Sequence, residues 1–376
     1  MRLLTKKFIV FFVLLIGICN INQTFAAPKQ VEYIRGTVLQ IEEIENQSKS
    51  KTGVIATEKI LVKLTSGNES GQEISMIHQI TNNPAFNIQP KVGDKVIIAT
   101  SEILGRKNYS IADFDRIPYT YYFIGAFILS LLMVDRKVGL KSLFVVAFAI
   151  FIVLQGMIPL VLKYNINIII ATLLTSSLIA TVTQLVVSGW NEKTFGAILG
   201  TIGGVIIAGI LAFIAIFTMH LTGLDSEESI MLKATFLAHI DFKDVLFAGI
   251  VLGALGAVMD VSISISSAQC EVKKVCPSMN FKDLFKSGIN VGRDVMGTMS
   301  NTLILAYLGS SLPLVLLLSA QTNISLLHVI NLNLIITEFA RAITGSIGLI
   351  CAIPLTALIT AFLLTRKDVL TDTSNQ

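Results

Sequence analysis

From Pro118 to Thr365 the chain is a succession of apolar runs, separated by a few charged or turn-forming residues. A helix needs about 20 apolar residues to cross the hydrocarbon core of a bilayer. Seven stretches come near that length: 118–134, 141–162, 166–188, 195–218, 244–265, 296–318 and 334–364. A backbone in lipid must satisfy its own hydrogen bonds, so runs of this length and composition are expected to be helices. The last run is long enough either to tilt or to begin with an interfacial stretch around Asn331–Arg341. Composition agrees: 53% of the 376 residues are hydrophobic and 14% are charged, where soluble domains carry about a quarter charged.

Charge is densest in residues 28–117, and these follow a different pattern. Val31–Ile41 and Lys59–Leu64 carry short β-rich patterns, Ser66-Gly67-Asn68 and Glu69-Ser70-Gly71 are turn clusters, and Val92-Gly93-Asp94 is a turn leading into a strand that reaches Ile98. Several short strands without a helical period predict a small β-barrel-like domain of OB or SH3 type. Cys19, Cys270, Cys276 and Cys351 all lie outside it, so it has no internal disulfide. His78 stands alone there as an ordinary residue. Ahead of it, a basic start (Met1–Lys7), an apolar run (Phe8–Cys19) and the small residues Ala26 and Ala27 form a secretory signal pattern over 1–27. An uncleaved anchor is the alternative. The expected fold is an α-helical polytopic membrane protein of about seven transmembrane helices with an N-terminal extracytoplasmic β-barrel-like domain. Residues 118–365 are the membrane domain and 366–376 a cytoplasmic tail.

Export of the head places the first span running inward. The loops then predicted inside hold Arg136, Lys137, Lys141, Lys193, Lys273, Lys274, Lys282, Lys286 and Arg293, and the tail holds Arg366 and Lys367. Those predicted outside hold Lys163, Lys233 and Lys243, an asymmetry of eleven against three. Basic residues collect on the cytoplasmic side, so charge and signal agree on a plasma-membrane protein with its C-terminus inside. The net charge of +4 is small and spread out, which is no footprint for nucleic acid.

An ionised side chain in lipid costs at least about 2.5 kcal/mol near the helix centre, so such residues turn toward a bundle interior or water. Asp260 lies in the inner half of the fifth span. Arg293 and Asp294 open the sixth, followed by Thr298, Ser300, Asn301 and Thr302. Pairing of Asp260 with Arg293 across adjacent helices would reduce the cost of both. The two readings are an ion, proton or substrate site, and a structural ion pair at headgroup level. Glu338 and Arg341 are three apart on one helix face, as an interfacial ion pair or an outer gate. Gly196, Gly200 and Gly204, and Gly249 with Gly253, are GxxxG steps that suit close helix packing. Pro159, Pro313 and Pro354 interrupt spans, and Pro354, following Gly345 and Gly348, is a candidate break in the last helix. Asp225, Glu227, Glu228 and Asp241, with His220 and His239, form an outer loop whose donors suit a divalent metal but whose spacing is that of a solvated loop. Cys270 and Cys276 are expected as two reduced thiols. His-Glu-x-x-His, Gly-x-Ser-x-Gly and Walker motifs are absent, so neither an enzyme nor ATP-driven transport by this chain alone is expected, and no cofactor.

Three stretches carry a resemblance: Gly253 through Asp260 to Ser267, Gly292-Arg293-Asp294 through Asn301 to Tyr307, and Glu338 through Gly345 to Ile353-Pro354-Leu355-Thr356-Ala357. In these the chain resembles the YibE/F-like family of bacterial multipass membrane proteins, and its exported head is similar to that family's arrangement. The resemblance implies a bacterial plasma-membrane protein whose shared core includes Asp260, Arg293, Asp294, Asn301 and Glu338. Two functions follow as expectations. One is a permease or secondary transporter of a small solute or ion, with Asp260 as coupling group, Arg293 as counter-charge, and a polar site completed by Asp294, Asn301, Glu338 and Arg341. The other is a non-transport assembly or sensing protein whose head binds an envelope partner. A second membrane subunit or a homo-oligomer is compatible with either.

Overall fold

A computed structural model describes residues 31–44, 54–81, 87–103, 106–320 and 325–373. The signal pattern of 1–27, with Cys19, lies outside them. The chain divides into two compact units, residues 1–130 and 131–376.

The first unit contains five antiparallel strands: β1 (Glu32–Ile44), β2 (Val54–Leu64), β3 (Glu73–Thr81), β4 (Lys95–Ile103) and β5 (Arg106–Phe114). They form one sheet in the order β3-β2-β1-β4-β5. Alternation along the strands sends Ile34 and Val38, Ile60, Val62 and Leu64, Met76, Val96 and Ile98 into one core. The sheet curls into a half-barrel, with β3 and β5 approaching one another. Three bulges contribute the bend, at Val38/Gln40, Val54/Ala56 and Ile97/Ile98. Gly36 permits it on the central strand, because a methyl group there would lie 2.5 Å from Val62 Cγ1 and 2.7 Å from Ile98 Cδ1. Gly93, at a φ of 95°, makes the turn before β4.

Glu69, in the β2–β3 turn, pairs with Lys107 and accepts a hydrogen bond of 2.7 Å from the Tyr109 hydroxyl, tying that turn to β5. The hydrogen bonds from Lys107 and Tyr109 hold its carboxyl below the ordinary glutamate value. A carboxylate with a depressed folded pKa contributes stability above its unfolded pKa and loses it as pH falls through the folded one. Protection of the amides in β5 and the Glu69 turn, measured as the exchange rate relative to that of an unstructured chain at the same pH, is therefore expected to fall on acidification through the acidic range. Glu69→Gln should remove that pH-dependent step. An identical pH profile in the variant would show that the pair does not fasten the turn.

A helix, α1 (Ile117–Val134), follows the sheet. The helices after it are α2 (Arg136–Leu162), α3 (Ile168–Ser188), α4 (Glu192–Thr218), α5 (Glu227–Thr235), α6 (Phe242–Val275), α7 (Phe281–Ser310), α8 (Leu312–Ala320), α9 (Leu326–Ile330) and α10 (Asn333–Thr373). Six are long and apolar enough to cross a membrane, and there are seven spans if α7 and α8 count as one. This is the architecture of a multipass membrane protein. Side-chain oxygens start several of them: Asp135 accepts from Lys137 N and Val138 N, Asn167 from Ile169 N, and Asn280 from Asp283 N.

The centre of the second unit is α4 against α10, with α6 lying along both. Gly196, Gly200 and Gly204 face Thr360, Thr356 and Ala352, so the first pair of GxxxG steps is a packing seam. Gly249 and Gly253 are not part of it. Nothing lies within 4 Å of the position a side chain would take at Gly249, and Gly253 faces the Tyr307 hydroxyl.

Three expectations need correction. The sixth span is not a straight 296–318 helix. α7 begins at Phe281 and stops at Ser310, and the chain bends by 61° into α8 just ahead of Pro313. Arg293 and Asp294 are therefore near the middle of a 30-residue helix rather than at its opening. The last helix is not broken at Pro354, since α10 is continuous through it. Pro354 is on the exposed side of α10, away from the α4 seam, and tertiary packing of the flanking turns carries the helix past the missing N–H. Pro159 does have a local effect, following a wide π-helical turn at Ile152–Met157.

Candidate functional site

Glu338 and Arg341 are one turn apart near the start of α10, and Arg341 Nη1 lies 3.4 Å from Glu338 Oε1. A third member comes from the connection between α4 and α5, where Asp225 Oδ2 is 3.7 Å from Arg341 Nη2. The side chains are 14–26% exposed, so the triad is largely withdrawn from solvent. Two carboxylates around one guanidinium leave a net negative charge. Glu338 Oε2 and Arg341 Nε are buried with no hydrogen-bond partner among the described residues, a costly state for charged groups unless a ligand or water completes them.

The triad opens on a cleft of about 580 Å³ whose wall includes Gly249, Ser310, Ser311 and Pro313. The α7–α8 bend thus forms one side of it. A helix that stops at Ser310 leaves carbonyls without intrahelical donors, and irregular backbone at a membrane protein's core is tolerated where it lines a cavity. Asp225 was expected as part of a solvated outer loop, with donors that would suit a divalent metal. Its partner here is Arg341, and the described residues contain no group of three or more His, Cys, Asp or Glu placed to hold a metal. Asp241 instead caps α6, accepting from Lys243 N. Cys270 and Cys276 are not joined.

Asp260 does not pair with Arg293. Among the described residues no ion pair involves Asp260, Arg293 or Asp294, and the Asn301 amide has no hydrogen-bond partner. All four are exposed. Depth is fixed by the packing. A methyl group at Gly204 would lie 2.6 Å from Ala352 Cβ and 2.9 Å from Val258 Cγ1, so the middles of α4, α10 and α6 meet there. Asp260 is two residues beyond Val258, about 3 Å along the axis, hence near mid-level rather than toward one end of its span. Between residues 249 and 264 the exposed positions of α6 are Gly249, Gly253, Gly256, Asp260 and Ser264. This stripe begins in the wall of the triad cleft and reaches Asp260 after about 16 Å at the α-helical rise.

Buried polar contacts that residue patterns alone did not single out hold this geometry. Gln269, fully buried, donates to Leu284 O at 2.9 Å and Ala357 O at 3.0 Å, linking α6, α7 and α10. Gln184 donates to Thr201 Oγ1 between α3 and α4, and Thr356 to Ser262 Oγ between α10 and α6. A glutamine inside an apolar run was the available signal, since an amide in lipid needs partners. The hydroxyls of Thr298 and Thr302 donate to carbonyls of their own helix.

Comparison with known proteins agrees with this architecture. Residues 32–114, the curled sheet, match the YibE/F family N-terminal domain. Residues 123–366, which hold Asp225, Asp260, Arg293, Asp294, Asn301, Glu338 and Arg341, match the YibE/F-like protein family. No curated protein sequence and no solved structure matches the chain. With both parts of the chain matched, head and helices, it belongs to the YibE/F-like protein family.

Proposed function

We propose that this protein is a permease or secondary transporter that moves a small solute or ion across the bacterial plasma membrane. The observation that supports this most is the exposed α6 stripe leading from the Asp225–Glu338–Arg341 cleft to Asp260 at mid-level. Clefts beside broken helices, with ionisable groups at mid-depth, are the arrangement by which secondary transporters bind and couple. In this reading Arg341 and its two carboxylates guard the mouth, with polar solutes or cations meeting Glu338 and Asp225. Asp260 takes up and releases a proton or coordinates an ion as the pathway changes exposure. Arg293, Asp294 and Asn301 supply the facing polar wall. The head is outside and the C-terminus inside, supported by the distribution of Lys and Arg.

The test compares cells lacking the gene with cells complemented by the wild type or by Asp260→Asn. Intracellular ions and small metabolites are quantified by mass spectrometry. The expected result is a solute whose level shifts on deletion, recovers with the wild type and fails to recover with Asp260→Asn at equal membrane abundance. A profile unaffected by deletion would sink transport and favour the assembly role, with the head bound to an envelope partner.

A further inference from the structure

We infer that the face formed by α6 around Asp260 and α7 around Arg293 is an interface with a second copy of this chain. Elsewhere the exposed surface of the bundle is what hydrocarbon accepts: Leu174 on α3, Ile206, Ile210 and Phe213 on α4, and Leu358 and Phe362 on α10. The face around Asp260 is different in kind. From Gly249 to Ser264 the exposed positions of α6 contain no large apolar side chain. On α7, Asn290, Asp294, Gly297 and Asn301 form one exposed stripe at helical spacing, with Arg293 beside it.

Two independent features point to another protein rather than lipid. Gly249, Gly256 and Gly297 have nothing within 4 Å of where a side chain would stand. They are therefore small for a reason other than packing inside this chain, and exposed small residues let a second helix backbone approach. In addition, Asp260 and Arg293 carry opposite charges and neither has a partner among the described residues. Gly292 on α7 approaches Ile265 on α6, which sets Arg293 roughly one helical turn from the level of Asp260. That offset is within reach of an arginine side chain.

A face bearing both signs is complementary to itself under a two-fold axis along the membrane normal. Arg293 of each copy then meets Asp260 of the other, while Asn301 supplies hydrogen bonds across the seam. α1 does not satisfy these charges, since no Asp, Glu, Lys, Arg or His occurs between Ile117 and Val134. Pairing holds whether or not the protein moves a solute, and it is measured separately.

The experiment uses the full chain in native membranes, with its four cysteines replaced by serine. Single cysteines are introduced as Gly249→Cys, Gly256→Cys or Gly297→Cys, with Leu174→Cys on the apolar surface as control. Two differently tagged copies are co-expressed and oxidised. The expected product carries both tags at twice the chain mass, from at least one glycine position and not from Leu174→Cys. Arg293→Asp in the same background turns both Asp260 contacts of the two-fold seam from attraction to repulsion and should lower the yield at least about ten-fold, the ratio that corresponds to about 1.4 kcal/mol, and adding Asp260→Arg should restore it. Absence of a doubly tagged product at all three glycine positions overturns the inference, as does a product of another mass. The glycine positions decide the matter even if a charge variant fails to fold.

Discussion

Gly204→Leu is expected to prevent the membrane bundle from assembling. The site is where three helices come closest. Even a methyl group would fall 2.6 Å from Ala352 Cβ, 2.9 Å from Val258 Cγ1 and 3.1 Å from the Gly348 carbonyl oxygen. A valine side chain can rotate away, but a carbonyl of the facing helix cannot. α4 and α10 would have to separate along the whole seam, and with them the contacts of Gly196 and Gly200 to Thr360 and Thr356. Overpacking of a close-packed core costs about 1–3 kcal/mol, and a clash with backbone belongs at the upper end or beyond it. The measurement is the folded fraction in mild detergent by size-exclusion chromatography, with the thermal midpoint of what remains. Gly309→Ala, with open space at its side-chain position, should leave both unchanged. A monodisperse Gly204→Leu protein with an unaltered midpoint would contradict the α4–α10 seam.

Arg341→Gln is expected to have the second-largest effect, on stability and on the solute shift together. Removing the guanidinium leaves Glu338 and Asp225 facing one cleft without a counter-charge, and a neutral amide replaces the cation that lay beside both. Loss of one partner from a fully buried pair costs about 3–5 kcal/mol. With these side chains 14–26% exposed, about 2 kcal/mol is the appropriate scale. Arg341→Lys should be intermediate, because an ammonium is a point charge that does not reproduce the fork to two carboxylates. Glu338→Gln combined with Arg341→Gln should regain part of the lost stability by removing the orphaned charge. If Arg341→Gln were as stable as the wild type and equally able to restore the solute level, Arg341 would be neither clamp nor gate.

Element type was legible because the signals are strong and local. An apolar run of about 20 residues has few alternatives in lipid, and the strand alternation of 28–117 has period two. Glu338 and Arg341 could be paired from spacing alone, since three residues on a helix fixes their neighbourhood. Asp225 could not be joined to them, because more than a hundred residues separate it from Arg341 and only the tertiary fold closes that distance. The expected Asp260–Arg293 pair failed for a related reason. Residue order placed both near the α6–α7 connection, and they do lie within about one helical turn of each other in depth, but each stands at an exposed position of its own helix and no ion pair joins them within one chain. Pro313 and Pro354 show the limit of a local rule. One follows a bend and the other lies within a continuous helix, and packing of the neighbouring turns makes the difference.

Residue order by itself determined that this polypeptide makes a small β-rich head and then threads apolar helices, since backbone hydrogen bonding in lipid permits the apolar runs little else. It also singled out the few ionisable side chains too costly to leave among acyl chains. Which of them meet was decided only in three dimensions. Arg341 found Asp225 and Glu338 around a cleft, while Asp260 and Arg293 stayed apart on an open, glycine-lined face. Depth and facing are set by how α4, α6 and α10 pack, and the close approach at Gly204 that sets them involves three residues from three distant parts of the chain.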